Sequence, residues 1–166
     1  MHQLKDKIAV ITGGAQGLGA ALTERLAAEG CHVVVADLKK DQLEATAAAV
    51  AEKTHRKVIP VAGNVSVEAD VEALFETAQR SFGRVDVVVA NAAILIAEPI
   101  CTADAEKWRA VMNVNLCGLF LTFKYACRIM KDQQAGSIIQ INSKSGKKGS
   151  AANSAYAASK FGGIGL

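Results

Sequence analysis

"ITGGAQGLGAAL", residues 11–22, sets Gly13, Gly17 and Gly19 between a β-branched run and an alanine-rich segment. A strand that turns through glycine straight into a helix gathers free backbone N–H groups and the positive end of the helix dipole at one spot, where an anionic phosphate is stabilised. Gly13 allows the tight turn, Gly17 lets the backbone approach a pyrophosphate, and Gly19 permits close helix packing. No Lys-Ser/Thr pair follows the glycines, so the turn is not a nucleoside-triphosphate P-loop. A glycine turn that binds nothing would look the same in isolation. Asp37 separates the two readings: it ends the next apolar run, eighteen residues beyond Gly19, where a carboxylate can accept hydrogen bonds from an adenosine ribose. Thr12, Gly13, Gln16, Gly17, Leu18, Gly19 and Asp37 are therefore the expected dinucleotide-binding residues of this end of the chain.

Outward from this turn, short β-branched runs alternate with longer segments of helical periodicity, which is the βαβ pattern. The runs at 7–12, 32–37, 57–64, 85–92 and 136–143 are continuously apolar, as parallel strands covered on both faces must be. Segments 17–29, 39–54, 67–82 and 103–131 read as helices, and a fifth begins near Ser154. Ser66, Thr102 and Ser154 are the expected N-caps of the last three. The fold class is α/β, a doubly wound parallel sheet in one domain spanning residues 1–166.

Composition narrows the function. The 166 residues are 51% hydrophobic, enough for one core of ordinary size, and 19 basic against 16 acidic residues leave a net charge of only +3. That is far from the dense basic surface of a nucleic-acid binder, so no nucleic-acid partner is expected. Cys31, Cys101, Cys117 and Cys127 share no metal-ligand spacing and sit in apolar runs; they read as buried, reduced thiols, with no metal expected. No signal-type segment opens the chain and no uninterrupted apolar run reaches membrane-spanning length, so a cytoplasmic protein without a membrane partner is expected.

Asp37 also bears on which dinucleotide is bound. A carboxylate there repels a 2′-phosphate and Gln16 brings no charge to offset it, so NAD is favoured over NADP. Lys39 and Lys40 keep that choice open, because either could reach a phosphate.

Near the end of the chain, "YAASK" places Tyr156 and Lys160 four residues apart, on one face of a helix. A cation beside a phenol favours the phenolate, which suits a tyrosine acting as general acid and base. With "TGGAQGLG" at 12–19, "NAA" at 91–93, "NVNLCG" at 113–118 and Ser143 thirteen residues before the tyrosine, the sequence resembles the short-chain dehydrogenase/reductase family over its whole length. The resemblance implies a Rossmann fold and four catalytic residues. Ser143 would hydrogen-bond the substrate oxygen, Tyr156 exchange the proton, Lys160 lower the tyrosine pKa and hold the nicotinamide ribose, and Asn115 anchor a water relay to that lysine. Asn113 competes for the last role, but Asn115 precedes the family's Leu-x-Gly. It further implies cofactor contacts from Asn64, Val65 and Asn91, besides Tyr156 and Lys160.

Two departures stand out. The family's Asn-Asn-Ala-Gly is here Ala90, Asn91, Ala92, Ala93, and its Asp after the third strand, whose side chain meets the adenine, is Asn64, whose amide can accept a hydrogen bond as well as donate one. Residues 137–166 are similar to the sorbitol-6-phosphate branch of the family, through "QINSKSGK" and "SKFGG". Between Ser143 and Tyr156 lie Lys144, Lys147 and Lys148, three cations suited to an anionic substrate. The implied substrate is a sugar alcohol phosphate, with an unphosphorylated polyol or other carbonyl as the alternative and a non-catalytic dinucleotide-binding module as a different class. Family members continue past the tyrosine helix into further strands and a substrate-covering segment, so the fold is expected to be truncated before its last strands, with Leu166 inside a longer polypeptide. They also assemble as homodimers or homotetramers through the two long helices, which are expected to start here near Thr102 and Ser154.

Overall fold

The computed structural model describes residues 4–149 and 151–166. Five parallel strands, β1 (Ile8–Thr12), β2 (His32–Asp37), β3 (Val58–Ala62), β4 (Val87–Ala90) and β5 (Ser137–Gln140), form one sheet in the order β3-β2-β1-β4-β5. The helices are α1 (Gly17–Ala28), α2 (Lys40–Thr54), α3 (Glu68–Phe82), α4 (Ala105–Met112), α5 (Gly118–Gln133) and α6 (Ser154–Ile164). The strand order reverses between β1 and β4, and a crevice opens beyond their carboxyl ends at such a switch point.

The alternation of side chains along each strand feeds two separate cores. Ala9, Ile11, Val33, Val35 and Val89 pack with Ala27 of α1 and Leu43, Ala47 and Val50 of α2 on one face. Val10, Val34, Ala36 and Val88 pack with Val71, Leu74, Phe75 and Ala78 of α3 and Tyr125, Ala126 and Met130 of α5 on the other. The central strand β1 is buried at all five positions, whereas the edge strand β5 alternates between exposed and half-buried. Expecting five strands covered on both faces therefore overstated the edges: β3 is nowhere fully buried, and its Pro60 lacks the N–H that a further strand would need.

The remaining corrections are local. The strands are shorter than their apolar runs: residues such as Asn64, Asn91 and Ser143 lie beyond the strand ends and shape loops instead. None of the three expected caps sits at the cap position. Val67 precedes α3 without a side-chain cap, because Ser66 turns its N–H (3.0 Å) and hydroxyl (2.8 Å) onto the Asn64 side-chain oxygen. The Asp104 carboxylate caps α4 by accepting from the Lys107 N–H, and Asn153 precedes α6. Of the cysteines only Cys31 is buried; Cys101, Cys117 and Cys127 are exposed, so the packing role assigned to those three does not hold.

The long fourth helix runs from Ala105 to Gln133, 29 residues, and is long and apolar enough by length and composition to cross a membrane. Its apolar side is used within the fold, where Leu121, Tyr125, Ala126 and Met130 join the core against the sheet. It is also not uniform: a wide π-helical turn, Asn113–Cys117, joins α4 to α5. Such turns recur at functional sites.

Candidate active site

A cleft of about 400 Å³ lies over the carboxyl ends of β1, β2 and β4. Gly13, Gln16, Gly17, Leu18, Gly19, Asp37, Asn64, Val65 and Asn91 line it, nine of the residues expected at the cofactor. Gly13 and Gly17 adopt left-handed φ values of 72° and 56°. A Cβ on Gly17 would meet nothing within 4 Å, so this backbone faces open space; a Cβ on Gly19 would lie 2.0 Å from the Gly13 carbonyl oxygen, so only glycine lets helix and turn meet. Helix α1 has neither a capping side chain nor an acidic residue in its first turn. Its N-terminal N–H groups are thus left to an external anion, as a pyrophosphate requires.

Thr12 sits beneath the cleft, buried, with its hydroxyl oxygen accepting from the N–H groups of Asn91 and Ala92, both at 3.2 Å. The Asn91 amide donates to the carbonyls of Thr12 and Gly13 at 3.0 Å each. Thr12 and Asn91 therefore bind the end of β4 to the glycine turn and shape the cleft from below. Asp37 is fixed through both oxygens, one accepting from the Ala15 N–H and the other from the Lys39 N–H, each at 3.0 Å. Both lysines that left the dinucleotide open are engaged: Lys39 donates to the Gln16 side-chain oxygen at 3.2 Å, and Lys40 pairs with Glu44 at 3.9 Å. Gln42 joins Lys39 on Gln16 at 3.3 Å. Asn64 lines the cleft with its oxygen accepting from the Ser66 N–H and hydroxyl, which leaves its NH₂ as the group able to donate there.

The catalytic candidates do not line this cleft themselves; Asn115 joins them to its edge through its bonds with Ile94, which does. Ser143 follows β5, and its hydroxyl oxygen accepts from the Ser145 N–H at 3.1 Å, which leaves the hydroxyl hydrogen free to point elsewhere. Tyr156, half-buried, and Lys160, buried, both lie on α6, with the ammonium 5.6 Å from the centre of the phenol ring. The Lys160 Nζ donates to the Ile141 carbonyl at 2.7 Å, and burial pushes the pKa of this ammonium below its ordinary value. Lys144, Lys147 and Lys148 are exposed on and just after a short 3₁₀ turn, Lys144–Gly146.

Asn115, in the π-helical turn, makes three bonds. Its oxygen accepts from the Ile94 N–H (2.8 Å), while its NH₂ donates to the Ile94 carbonyl (2.8 Å) and to the Ser159 hydroxyl oxygen (3.2 Å). Ser159, fully buried, donates in turn to the Tyr156 carbonyl at 2.7 Å. The Asn115 amide thus spends both N–H groups on fastening the loop after β4 to the tyrosine helix. A cavity of about 10 Å³, lined by Thr12, Asn115, Thr122, Gln140 and Lys160 among others, lies between Asn115 and Lys160. That is room for one water molecule with polar partners on several sides.

Residues 7–166 match the family described as short chain dehydrogenase. The chain belongs to the short-chain dehydrogenase family. It is 41% identical over 163 residues to sorbitol-6-phosphate 2-dehydrogenase of Escherichia coli, covering 97% of this chain and 63% of that protein. It is 44% identical to the short-chain dehydrogenase/reductase eriH of Hericium erinaceus, covering 93% of this chain and 63% of the relative. The crystal structure of levodione reductase superposes with a TM-score of 0.94 at 37% identity, covering 98% of this chain and 64% of that one. The chain thus spans a little under two thirds of the length of these short-chain dehydrogenases.

Two residues at this site escape a reading from motifs, Ser159 and Asn142. Ser159 is a small polar residue inside "YAASK", where Tyr156 and Lys160 carry the pattern. Asn142 precedes Ser143, donates its NH₂ to the Lys160 carbonyl (3.3 Å) and accepts from the Ser143 N–H (2.8 Å). A buried position at helical spacing between two functional residues is the signal that could have exposed Ser159; nothing in the sequence pattern marks Asn142.

Proposed function

We propose that this short-chain dehydrogenase interconverts a sugar alcohol phosphate and a ketose phosphate with NAD, the pair sorbitol 6-phosphate and fructose 6-phosphate being the leading candidate. A nicotinamide bound at the cleft supplies the hydride acceptor. The observation that carries the redox reading is Lys160 held over the Tyr156 ring with Ser143 on the neighbouring loop. The free Ser143 hydroxyl hydrogen donates to the substrate oxygen, and Tyr156 takes the hydroxyl proton as hydride leaves the carbon. The Lys160 ammonium lies 5.6 Å from the centre of the Tyr156 ring, beside the group that exchanges the proton. The cavity lined by Lys160 and Asn115 has room for one water, which would serve as the step of a proton relay next to that lysine.

Support for NAD comes from Asp37, whose two oxygens are fixed by backbone N–H groups at the cleft, and from Lys40, which pairs with Glu44. Support for a phosphorylated substrate comes from the exposed Lys144, Lys147 and Lys148 beside Ser143, and from the relative that acts on sorbitol 6-phosphate. The likeness to levodione reductase favours the second reading, an unphosphorylated carbonyl substrate on the same catalytic residues. A homodimer or homotetramer fits the exposed apolar residues of the two long helices, Phe120 (49% exposed), Phe161 (46%) and Ile164 (58%).

The test is reduced-nicotinamide absorbance with sorbitol 6-phosphate and with free sorbitol. The phosphate is expected to be the better substrate, and replacing one of Lys144, Lys147 or Lys148 by Ala should raise its KM about tenfold or more, the value of one charge-assisted contact. Equal efficiency on both substrates would assign the lysines to solvent and favour the second reading.

A further inference from the structure

We propose that Asn142 is a positioning residue that fixes Ser143 relative to Lys160; this rests on the dehydrogenase reading above. The last bond tying β5 into the sheet runs from the Ile141 N–H to the Ala90 carbonyl, 3.0 Å. Ser143 lies two residues beyond it, where the ladder no longer sets its place. Asn142 takes over. Its side-chain oxygen holds the Ser143 N–H at 2.8 Å and its NH₂ reaches the Lys160 carbonyl at 3.3 Å, so one planar amide joins the serine to the backbone of the lysine. The Lys160 ammonium in turn donates to the Ile141 carbonyl at 2.7 Å. Lys160 is thereby gripped at both ends, carbonyl and ammonium, by consecutive residues of one strand end.

The 3₁₀ turn closes over this arrangement. A Cβ on Gly146 would lie 2.6 Å from the Asn142 side-chain oxygen and 3.0 Å from the Lys160 carbonyl oxygen, so glycine is what lets the turn seat against the amide. An amide is the side chain that can accept on one side and donate on the other. Aspartate keeps the acceptor for the Ser143 N–H but sets a second acceptor against the Lys160 carbonyl. Leucine has a similar shape and can do neither. Catalysis is sensitive to such placement, because a shift of about 1 Å in a reacting group can cost about a hundredfold in rate.

The experiment compares Asn142→Leu and Asn142→Asp with the parent in the natural full-length polypeptide. It reads steady-state kinetics across pH, NADH affinity by fluorescence and exchange of the Ser143 amide by NMR. Both variants should lose about tenfold to a hundredfold in kcat while KM and NADH affinity stay within about threefold. The Ser143 amide should lose protection in the leucine variant and keep it in the aspartate variant. Parent-like kcat in both variants would overturn the proposal, as would a kcat loss that only follows a loss of NADH-binding sites. Should the parent oxidise no alcohol and reduce no carbonyl, the dehydrogenase reading fails separately, and the Ser143 exchange pattern still decides whether Asn142 holds the serine: unchanged protection in Asn142→Leu overturns it.

Discussion

The two halves of the site are made of different material. The dinucleotide cleft is built from backbone around the central strands: a glycine turn, an uncapped helix end, and polar side chains whose bonds go mostly to main-chain groups. The catalytic half is built from side chains on the last strand and helix, where Ile139 of β5 is 45% exposed and four groups converge from a loop, a π-helical turn and α6. A backbone site tolerates changes in side chains but not a Cβ where chains cross. A side-chain site tolerates neighbours but not the loss of one atom.

The largest effect should come from removing a single oxygen on the catalytic side. Tyr156→Phe keeps the ring beside Lys160 and deletes the transferable proton, so turnover should fall by about a hundredfold or more while dinucleotide affinity stays within about threefold. Steady-state rates and a fluorescence titration of NADH check both parts, in the polypeptide as its source makes it. Near-parental turnover would remove Tyr156 from the mechanism.

The converse damage belongs to the cleft. In Gly19→Val the new Cβ would stand 2.0 Å from the Gly13 oxygen, so turn and helix must separate. Dinucleotide Kd should rise at least about tenfold, with about 1–3 kcal/mol of stability lost to overpacking. If NADH still bound with parental affinity, the cleft would not depend on the close crossing of backbone that distinguishes it from the catalytic half.

The same division explains what could be read in the sequence. The βαβ order, five strands and the glycine turn were legible because periodicity and glycine spacing are backbone properties written directly into residue order. Tyr156 and Lys160 were legible because helical spacing puts them together. What was not legible depends on three-dimensional neighbours. The bonds of the Asn115 side chain, which fastens the Ile94 loop to Ser159, join segments distant in sequence and leave no pattern in it. Ser66, expected as a helix cap, spends its N–H and hydroxyl on the Asn64 oxygen instead. The cysteines show the same limit: apolar surroundings in sequence do not tell which face of an amphipathic helix a residue occupies, and Cys117 and Cys127 face outward.

A smaller effect is expected at Asp37, where a side chain does take part in the backbone-made cleft. Asp37→Ala removes the ribose acceptor and the charge that opposes a 2′-phosphate, so the ratio of NAD to NADP efficiency should narrow by about tenfold, as the loss of one such contact implies. A parent enzyme that already works better with NADP would show that Asp37 does not select the cofactor.

The smallest effect on activity should come from Asp86, at the opposite end of the sheet from both halves. Its carboxylate, 9% exposed, accepts from the Ile8 N–H at 2.9 Å and from Arg84 and Lys7, while its backbone bonds Ile8 and Ser137, so one residue knots β1, β4 and β5. Burial alone would raise its pKa, but the bonds from Arg84, the Ile8 N–H and Lys7 outweigh burial and hold it below the ordinary value. A group whose pKa is depressed by folding stabilises the fold fully above its unfolded pKa, about 4, and loses that contribution as pH falls through the lower folded value. Asp86→Asn leaves an acceptor for Ile8 but no charge for Arg84, so it should cost about 1–3 kcal/mol at neutral pH. Denaturant unfolding at a series of pH values should show the two proteins converging below about pH 4, where the parent carboxylate is being protonated. Turnover and NADH affinity of the folded variant should match the parent. A stability gap that stayed constant down to strongly acid pH would assign the loss to the shape of the amide rather than to the charge, and a drop in turnover would mean that the foot of the sheet is coupled to the site at its other end.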